Sequence, residues 1–402
     1  MGEPFINEDA KVAATIPDIP CAAEELGGED GLSVDEMLEL WVAAKEWLLL
    51  RGVRLYDLEP PPGWAWISSN TFHTKAHPEA QTTLACGQDT TGRDIMLKVV
   101  DNDSPQHRIF QTLLQHESLF TDPRTFPGVL PPIAIIDTPH KYSIVTMPLW
   151  GDYPNLTDMQ DVRQVLTFIR CLLEGLTFLH ANRIAHRDIC DSNMVVSCYR
   201  PDRDHKLFRD DLRELRRGPD LRYAFMDYDQ SIQLPLDVSV KDCLRPSNEA
   251  WIGQDMYKPL DVWLGESLYN PFAFDVGTLG NMFRVYLSEA VPALPPLAAL
   301  FDGMTTHVLS RRLSAEEALD FFRSNIDSLP QDVLDTPVTL GTDYETMYHP
   351  ELYWSKLAPP VQAHWSRFRA PPLPRWWHFL NWFMGLPGCS RIVEFVWRIF
   401  GI

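Results

Sequence analysis

A long apolar stripe that runs directly into a strongly polar segment limits the folds open to this chain more than any other feature. Between Asp161 and Ala181, apolar residues recur at every third or fourth position, which places them on one face of an α-helix. The polar run His186-Arg-Asp-Ile-Cys-Asp-Ser-Asn193 follows shortly after. The sequence therefore predicts a buried core helix that leads into a loop of ionisable and amide side chains.

Hydrophobic periodicity elsewhere predicts a β-rich region followed by a helical region, which is an α+β arrangement. The β-like runs are short and lie before residue 150, and helical spacing dominates after it. In chain order, the predicted elements are strands at Thr82–Cys86 and Asp94–Val100, a helix from Pro105 to about Phe120, strands at Ile133–Ile136 and Tyr142–Met147, and helices at Asp161–Ala181, Phe272–Ser288 and Ser314–Phe322.

Changes in composition divide the chain into four segments. Breaks such as Pro60-Pro-Pro-Gly63 separate regions of different periodicity. The segments are an N-terminal extension with one helix at 1–63, a β-rich region at 64–149, a helical region at 150–330 and a C-terminal extension at 331–402.

Three parts lie outside the regular pattern. A capping-box sequence at Ser33-Val-Asp-Glu36 begins a helix with Trp41 and Trp47, and we expect that helix to pack against the β-rich region. The charged insertion at 200–222 is predicted to be a solvated loop. The aromatic tail at 376–402 is expected to pack on its own domain, with peripheral contact to a membrane surface as an alternative.

Charge and cysteine content restrict the partners and the compartment. The formal net charge is −20, and nucleic-acid backbones are bound through Lys and Arg, so nucleic acid is not expected as a partner. Seven cysteines without a C-x-x-C pair favour reduced thiols, and hence an intracellular protein of the cytoplasm or nucleus. No uncharged run is long enough to span a bilayer.

Three motifs follow one another in a fixed order. Lys98 lies within the apolar run Ile95–Val100, the polar loop lies at His186–Asn193, and Asp227-Tyr-Asp229 comes after it. This ordered set resembles the motifs of the eukaryotic protein kinase superfamily. Similar segments at Phe274–Gly280 and Leu313–Leu319 extend the resemblance over roughly residues 64–330, and the chain looks most like the divergent protein-kinase-like proteins of fungi.

The resemblance implies a two-lobed protein-kinase-like fold, with a small antiparallel β-rich N-lobe and a larger helical C-lobe. It implies transfer of a phosphoryl group from ATP, with Mg²⁺, to a hydroxyl, most simply that of Ser or Thr in a protein. Asp188 would accept the proton of that hydroxyl, and Lys98 would bind the α- and β-phosphates. Asp227 and Asn193 would hold Mg²⁺, which prefers oxygen ligands.

The remaining residues of the implied site orient the loop and bind adenine. Arg187 would position the catalytic loop (186–193) by pairing with a group of the activation segment (about 230–258), and His186 would pack and donate a hydrogen bond. Backbone groups of Met147 and Leu149 would contact adenine. The side chains of Met96 and Thr83 would face its ring.

The chain departs from the family pattern in several places. The stretch Phe72–Gln81, where a glycine-rich loop is expected, contains no glycine, although glycine lets backbone amides approach phosphate. Asp229 replaces the third residue of the Asp-Phe-Gly triplet, and Cys190 replaces a lysine. The expected carboxylate partner of Lys98 is Glu117, with Gln106 as the alternative.

The end of the activation segment is also altered, with Lys258-Pro-Leu260 in place of the family's Ala-Pro-Glu. Asp261 is positioned to pair with Arg312 instead. Three functions therefore stay open: a protein kinase, a pseudokinase that acts as a scaffold, and a small-molecule kinase on the same fold.

Overall fold

The computed structural model of the chain describes residues 16–18, 34–56, 84–120, 125–151, 154–199, 205–253, 256–264 and 267–372. The chain forms two compact units. The first comprises Met1–Phe126, Leu130–Gly151 and Ser197–Leu212, and the second comprises Pro127–Val129, Asp152–Val196 and Arg213–Ile402.

The longest described strands lie in the first unit, and those of the second unit have two or three residues each. They are β1 Arg54–Leu55, β2 Leu84–Gln88, β3 Asp94–Asp101, β4 Ala134–Asp137, β5 Tyr142–Pro148, β6 Ile184–Ala185, β7 Met194–Val196, β8 Tyr223–Phe225, β9 Ile232–Gln233, β10 Arg245–Pro246 and β11 Leu268–Tyr269.

The described α-helices lie mostly in the second unit. They are α1 Val34–Leu49, α2 Pro105–Leu114, α3 Val162–Ala181, α4 His205–Leu215, α5 Pro271–Leu287, α6 Pro296–Thr305, α7 Ala315–Asn325, α8 Gln331–Leu334, α9 Glu345–Tyr348, α10 Glu351–Trp354 and α11 Pro359–Trp365.

The first unit is built on a five-stranded antiparallel sheet with the strand order β1-β2-β3-β5-β4. The strands predicted at Thr82–Cys86 and Asp94–Val100 correspond to β2 and β3, which pair as an antiparallel hairpin. Its turn is closed by the Asp89 carboxylate, whose Oδ1 accepts hydrogen bonds from the backbone N–H of Thr91 at 2.8 Å and of Arg93 at 3.0 Å. Asp and Gly are favoured in such turns, and Gly92 takes a φ of 80° here.

Helix α1 and strand β1 belong to the core of this unit. Trp41 and Trp47 on α1 are buried in one cluster with Ile95 and Leu97 of β3, which confirms that this helix packs against the β-rich region. Strand β1 then pairs with the end of β2, with Leu55 opposite Gly87. The sequence did not predict β1, because two residues are too few to show a period of two.

Helix α2 is shorter than predicted. It begins after Ser104, whose Oγ accepts a hydrogen bond from the His107 N–H at 3.1 Å, and it ends at Leu114 rather than near Phe120. Beyond it, Glu117–Leu119 form a 3-10 turn. Leu119 is buried there while Glu117 is exposed, so a change of chain direction, and not a longer helix, buries Leu119.

Helix α3 is the predicted core helix. The Asp161 side chain caps its start by accepting a hydrogen bond from the Gln164 N–H at 3.0 Å, which satisfies one of the unpaired amides of the first turn. Phe168, Leu172 and Leu176 are fully buried on its apolar face. This helix positions the polar loop that follows it.

The insertion at 200–222 is not a loop, so that prediction was wrong. Its described part contains helix α4, on which Leu212 is fully buried. After the helix, the buried Arg216 guanidinium donates to the backbone oxygen of Asn155 at 3.0 Å and to the Tyr223 hydroxyl at 3.1 Å. The sequence did not predict this amphipathic helix, because most of its residues are polar or charged and only a few apolar residues face inward.

The described part of the C-terminal extension packs onto the second unit. The carboxylate of Asp302 on α6 is fully buried and accepts hydrogen bonds from Trp354 Nε1 at 3.1 Å and from the Ala370 N–H at 2.8 Å. It also accepts from the Tyr353 hydroxyl and from Arg284 Nη2 at 3.0 Å. The aromatic tail at 376–402 lies outside the described residues, and among those described no helix has the length and apolarity to cross a membrane.

Candidate active site

Two pairs of short strands bring the catalytic loop beside the start of the activation segment. Strand β6, just before the loop, pairs with β9, and strand β7, just after it, pairs with β8. The register places Met194 opposite Phe225, and the Met226 N–H donates to the Asn193 backbone oxygen at 3.0 Å. Segments that are more than thirty residues apart in the sequence are therefore neighbours.

A buried carboxylate fixes the backbone of the catalytic loop. Asp275 on α5 is fully buried and accepts hydrogen bonds from the backbone N–H groups of His186 and Arg187, both at 2.7 Å. The His180 imidazole lies 3.1 Å from the same carboxylate. Arg187 has a φ of 67°, which is unfavourable for a residue with a Cβ. The two hydrogen bonds to Asp275 stabilise this strained conformation, and such strain is concentrated at functional sites.

Within the loop, the structure brings Asp188 and Asn193 together. Asn193 Nδ2 donates to the Asp188 Oδ2 at 2.7 Å and to the Asp188 backbone oxygen at 2.9 Å. Because the amide nitrogen faces Asp188, the amide oxygen lies on the other side of the group. His186 packs against the rings of Phe225 and Tyr228, and its Nε2 lies 2.9 Å from the Met226 backbone oxygen.

The Asp-Tyr-Asp segment follows β8 with an unusual backbone at its first residue. Asp227 is half-buried and has a φ of 65°, a conformation that Asp tolerates better than most residues. The neighbouring Tyr228 ring is buried, and burial together with the Asp227 charge raises the pKa of its hydroxyl. Tyr228 is thus a neutral, buried packing residue next to Asp227.

Cys190 contributes no charge at the position where the family has a lysine. Its side chain is buried and lies 3.0 Å from the Ser192 hydroxyl. Burial raises the pKa of the Cys190 thiol to about 11, so the thiol is neutral at physiological pH and unreactive. A neutral group therefore occupies the position where the resemblance implied a lysine.

Sequence reasoning missed Gly253, which lies against the predicted base. Gly253 has a φ of 78°, and a Cβ built on it would lie 2.5 Å from Asp188 Oδ1. No side chain fits at that distance. A lone glycine in an irregular segment has no sequence signal that points to a contact so far away in the chain.

The activation segment is connected to the loop by Arg187, as predicted. Arg187 Nη2 donates to the backbone oxygen of Glu249 at 3.0 Å, and its Nη1 lies 3.8 Å from Glu249 Oε2. Farther along, Asp261 forms a buried ion pair with Arg312. The altered end of the activation segment therefore keeps its predicted ionic contact.

In the first unit, the register of the sheet arranges the predicted phosphate and adenine residues. Met96 is opposite Met147, and Lys98 is opposite Val145. Opposite residues of an antiparallel pair share a face, and alternation along β3 places Lys98 on the same face as Met96. This face is opposite the one that Leu97 presents to the cluster with α1. Lys98 and Met147 are buried.

The structure limits two predictions for the first unit, and a third lies outside the described residues. The Leu149 N–H donates to the Asp94 backbone oxygen at 3.1 Å, so it is not available to adenine in this structure. Glu117 is exposed on the 3-10 turn after α2, whereas Lys98 is buried, and their pairing stays a prediction. The alternative, Gln106, is buried at the start of α2. Thr83, like the stretch Phe72–Gln81, is outside the described residues.

Comparison with known proteins gives a local sequence match to a kinase. The chain is 29% identical over 85 residues to Cyclin-dependent kinase 20 of Homo sapiens and of Pongo abelii. The match covers 18% of this chain, and the chain spans a quarter (25%) of the length of these curated relatives. No protein-family model matches the chain.

One solved structure is also similar over a larger part of the chain. It is described as the crystal structure of the yeast RNA Pol II CTD kinase CTDK-1 complex, with a TM-score of 0.40 and 16% sequence identity. The likeness covers 64% of this chain and 92% of that one. The specific likeness to fungal kinase-like proteins stays a prediction.

The architecture and the local sequence match both point to a likeness to protein kinases. A five-stranded antiparallel sheet with helices α1 and α2 is followed by a helical unit in which α3 leads into the catalytic loop. The loop, the Asp227 segment and Asp275 are in contact in the order that the motifs implied. The chain therefore resembles protein kinases in its α+β fold, in the order of its motifs and in one local sequence match.

Proposed function

We propose that this protein transfers the γ-phosphoryl group of ATP, with Mg²⁺, to a hydroxyl, most simply that of a Ser or Thr in a protein. The observation that supports this most strongly is the fixed Asp188 carboxylate. Its Oδ2 accepts a hydrogen bond from Asn193 at 2.7 Å, and the loop backbone is held by the buried Asp275. A general base is effective only when its geometry is fixed in this way.

Each proposed role follows from the chemistry of phosphoryl transfer, which needs positioning and neutralisation of charge. Asp188 orients the acceptor hydroxyl and accepts its proton. Lys98 places a point charge beside the α- and β-phosphates. Arg187 fixes the loop. On this proposal the methionines Met96 and Met147 provide an apolar surface for adenine.

The residues proposed to hold Mg²⁺ suit that ion. Mg²⁺ is usually bound through one or two protein oxygens together with substrate phosphates and water. Asp227 supplies a carboxylate and Asn193 an amide oxygen, and their segments are joined by the Met226–Asn193 backbone hydrogen bond. Within the described ranges no group of three or more His, Cys, Asp or Glu side chains is arranged for a metal. When bound, Mg²⁺ would neutralise charge on the phosphates.

A scaffold role is the second candidate, and specific observations favour it. The Leu149 N–H is engaged by Asp94, Cys190 is a neutral thiol, and Asp229 adds a negative charge that opposes phosphate binding. The retained Asp188, Asn193, Asp227 and Lys98 outweigh these changes, because only phosphoryl transfer requires all four.

The acidic chain also suggests the nature of the acceptor. A net charge of −20 attracts basic polypeptides more than acidic ones. We therefore propose a basic protein of the cytoplasm or nucleus as the substrate class.

Transfer of labelled phosphate from ATP tests the proposal. The full chain is incubated with Mg-ATP and, in separate reactions, with a basic protein, an acidic protein, a set of sugars and a set of aminoglycosides. The proposal predicts Mg²⁺-dependent labelling of Ser or Thr in the basic protein. Labelling of a sugar or an aminoglycoside alone would indicate a small-molecule kinase, and no labelling by a protein that is folded would favour the scaffold.

Replacing Gly253 with Ala should impair catalysis without loss of nucleotide binding. The new Cβ would lie 2.5 Å from Asp188 Oδ1, so the carboxylate or the segment must shift, and we expect kcat to fall by about tenfold or more because small misplacements of a base are costly. Gly92→Ala is the matched control, since Gly92 has a similar φ of 80° but nothing within 4 Å of its Cβ position. Equal kcat values for the two variants would contradict the assigned contact.

A further inference from the structure

The contact between Arg187 and the activation segment involves a second arginine. Arg245 forms two hydrogen bonds with the Glu249 carboxylate, Nε to Oε2 at 3.0 Å and Nη2 to Oε1 at 2.7 Å. Arg245 is held in place by pairing opposite Tyr269 between β10 and β11. Both oxygens of Glu249 are therefore engaged by Arg245, and Oε2 also lies 3.8 Å from Arg187.

The side chains of Arg187 and Glu249 are both shielded from most of the solvent. The side chain of Arg187 is 6% exposed and that of Glu249 is 20% exposed. Charges removed from water need charged or hydrogen-bonded partners, and bidentate Arg–carboxylate contacts are among the strongest and most specific. The carboxylate of Glu249 thus balances two positive charges where the activation segment contacts the catalytic loop.

Two of the four hydroxyls of the activation segment are closed to modification, whereas Ser239 is exposed and Ser247 is half-buried. Ser231 is buried and donates to the His186 backbone oxygen at 2.9 Å. Tyr257 is buried beside Asp191, and burial raises the pKa of its hydroxyl. Neither can be phosphorylated without disrupting the core around the catalytic loop. Glu249, in contrast, carries its negative charge without any modification.

We propose that Glu249 is a positioning residue that keeps the activation segment in place, so that this protein needs no phosphorylation of that segment to order its site. Loss of the Glu249 contact would also affect the proposed base, Asp188, because Gly253 follows Glu249 closely and lies against the Asp188 side chain. The expected change in kcat rests on the proposed phosphotransfer function. The expected effect on the order of the catalytic loop does not depend on that function.

Kinetics of charge-removing variants test the proposal in the full chain. Glu249→Gln keeps the size of the side chain and removes its charge, and we expect kcat to fall about tenfold with an unchanged KM for ATP. Glu249→Asp restores the charge and should recover part of the loss. Glu214→Gln is the control, because Glu214 is an exposed partner of Arg217 and such pairs contribute little. Wild-type protein treated with a phosphatase should keep its kcat.

Two kinetic outcomes would overturn the proposal. One is an equal kcat for Glu249→Gln and Glu214→Gln. The other is loss of activity when the wild-type protein is treated with phosphatase, because a modified hydroxyl and not Glu249 would then hold the segment.

Hydrogen exchange separates this inference from the proposed function. In Glu249→Gln, the backbone amides of residues 186–193 should exchange faster than in the wild type and in Glu214→Gln, because the loop loses a contact that restrains it. If the wild type neither transfers phosphate nor binds Mg-ATP, the proposed function fails, and this measurement still tests Glu249. Equal exchange in wild type and Glu249→Gln would overturn the inference while leaving the proposed function intact.

Discussion

We predict that replacing Asp188 with Asn lowers kcat by about 10²–10⁴-fold, the contribution typical of a positioned general base, and leaves the stability of the fold nearly unchanged. An asparagine keeps the size of the side chain, and its amide oxygen can still accept the hydrogen bond that Asn193 Nδ2 donates at 2.7 Å. The loop is held independently by Asp275. The variant therefore loses proton acceptance and little else, which steady-state phosphotransfer and thermal unfolding together can measure.

Asp191 offers a matched control on the same loop. It is half-buried like Asp188, and its Oδ2 accepts a hydrogen bond from the Tyr286 hydroxyl at 2.9 Å. Asp191→Asn should keep most of the activity, because an amide oxygen can replace this acceptor. A similar kcat for Asp188→Asn and wild type would contradict the role of Asp188, whereas equal losses in both variants would point to the loop and not to the base.

Replacing Asp302 with Ala lowers the free energy of unfolding by about 3–5 kcal/mol, as expected when one partner of a buried ion pair is removed. The fully buried carboxylate accepts from Arg284, Tyr353 and Trp354 and from the Ala370 backbone. Its removal leaves the buried Arg284 guanidinium without its carboxylate partner. It also releases three contacts that hold the C-terminal extension, and denaturant unfolding of the full chain would measure the loss.

Glu289→Ala is the control for this prediction. Glu289 forms an ion pair with Lys356 at 2.7 Å in which both side chains are substantially exposed, so its loss should cost no more than about 1 kcal/mol. A cost for Asp302→Ala as small as that for Glu289→Ala would show that the extension is held by other contacts and that the buried carboxylate contributes little.

Local periodicity was sufficient to predict the elements with long, uniform patterns. Helix α3 and the strands β2 and β3 were predicted because their apolar spacing is regular. The end of α2 and the helix α4 were not, because polar or charged residues conceal which side of the chain is buried. Only tertiary packing shows that Leu119 is buried after a turn, or that Leu212 faces inward.

The residues of the candidate site also include some that the sequence predicted and some that it could not. Asp188, Asn193 and Asp227 were found from ordered motifs, and the structure places their segments in contact. Gly253 and Glu249 could not be found, because their importance lies in contacts with residues about sixty positions earlier. The partner of Lys98 was assigned to Glu117 by counting along a helix that ends earlier than its polar sequence suggested.

Thermal unfolding with and without nucleotide tests most directly the proposal that this chain binds Mg-ATP. A ligand that binds only the folded protein, at about 100 times its dissociation constant, adds about 2.7 kcal/mol of stability. We predict a rise in the unfolding midpoint that requires Mg²⁺ and that Lys98→Ala and Asp227→Asn each abolish. No rise at millimolar Mg-ATP, or a rise that persists in both variants, would contradict the account.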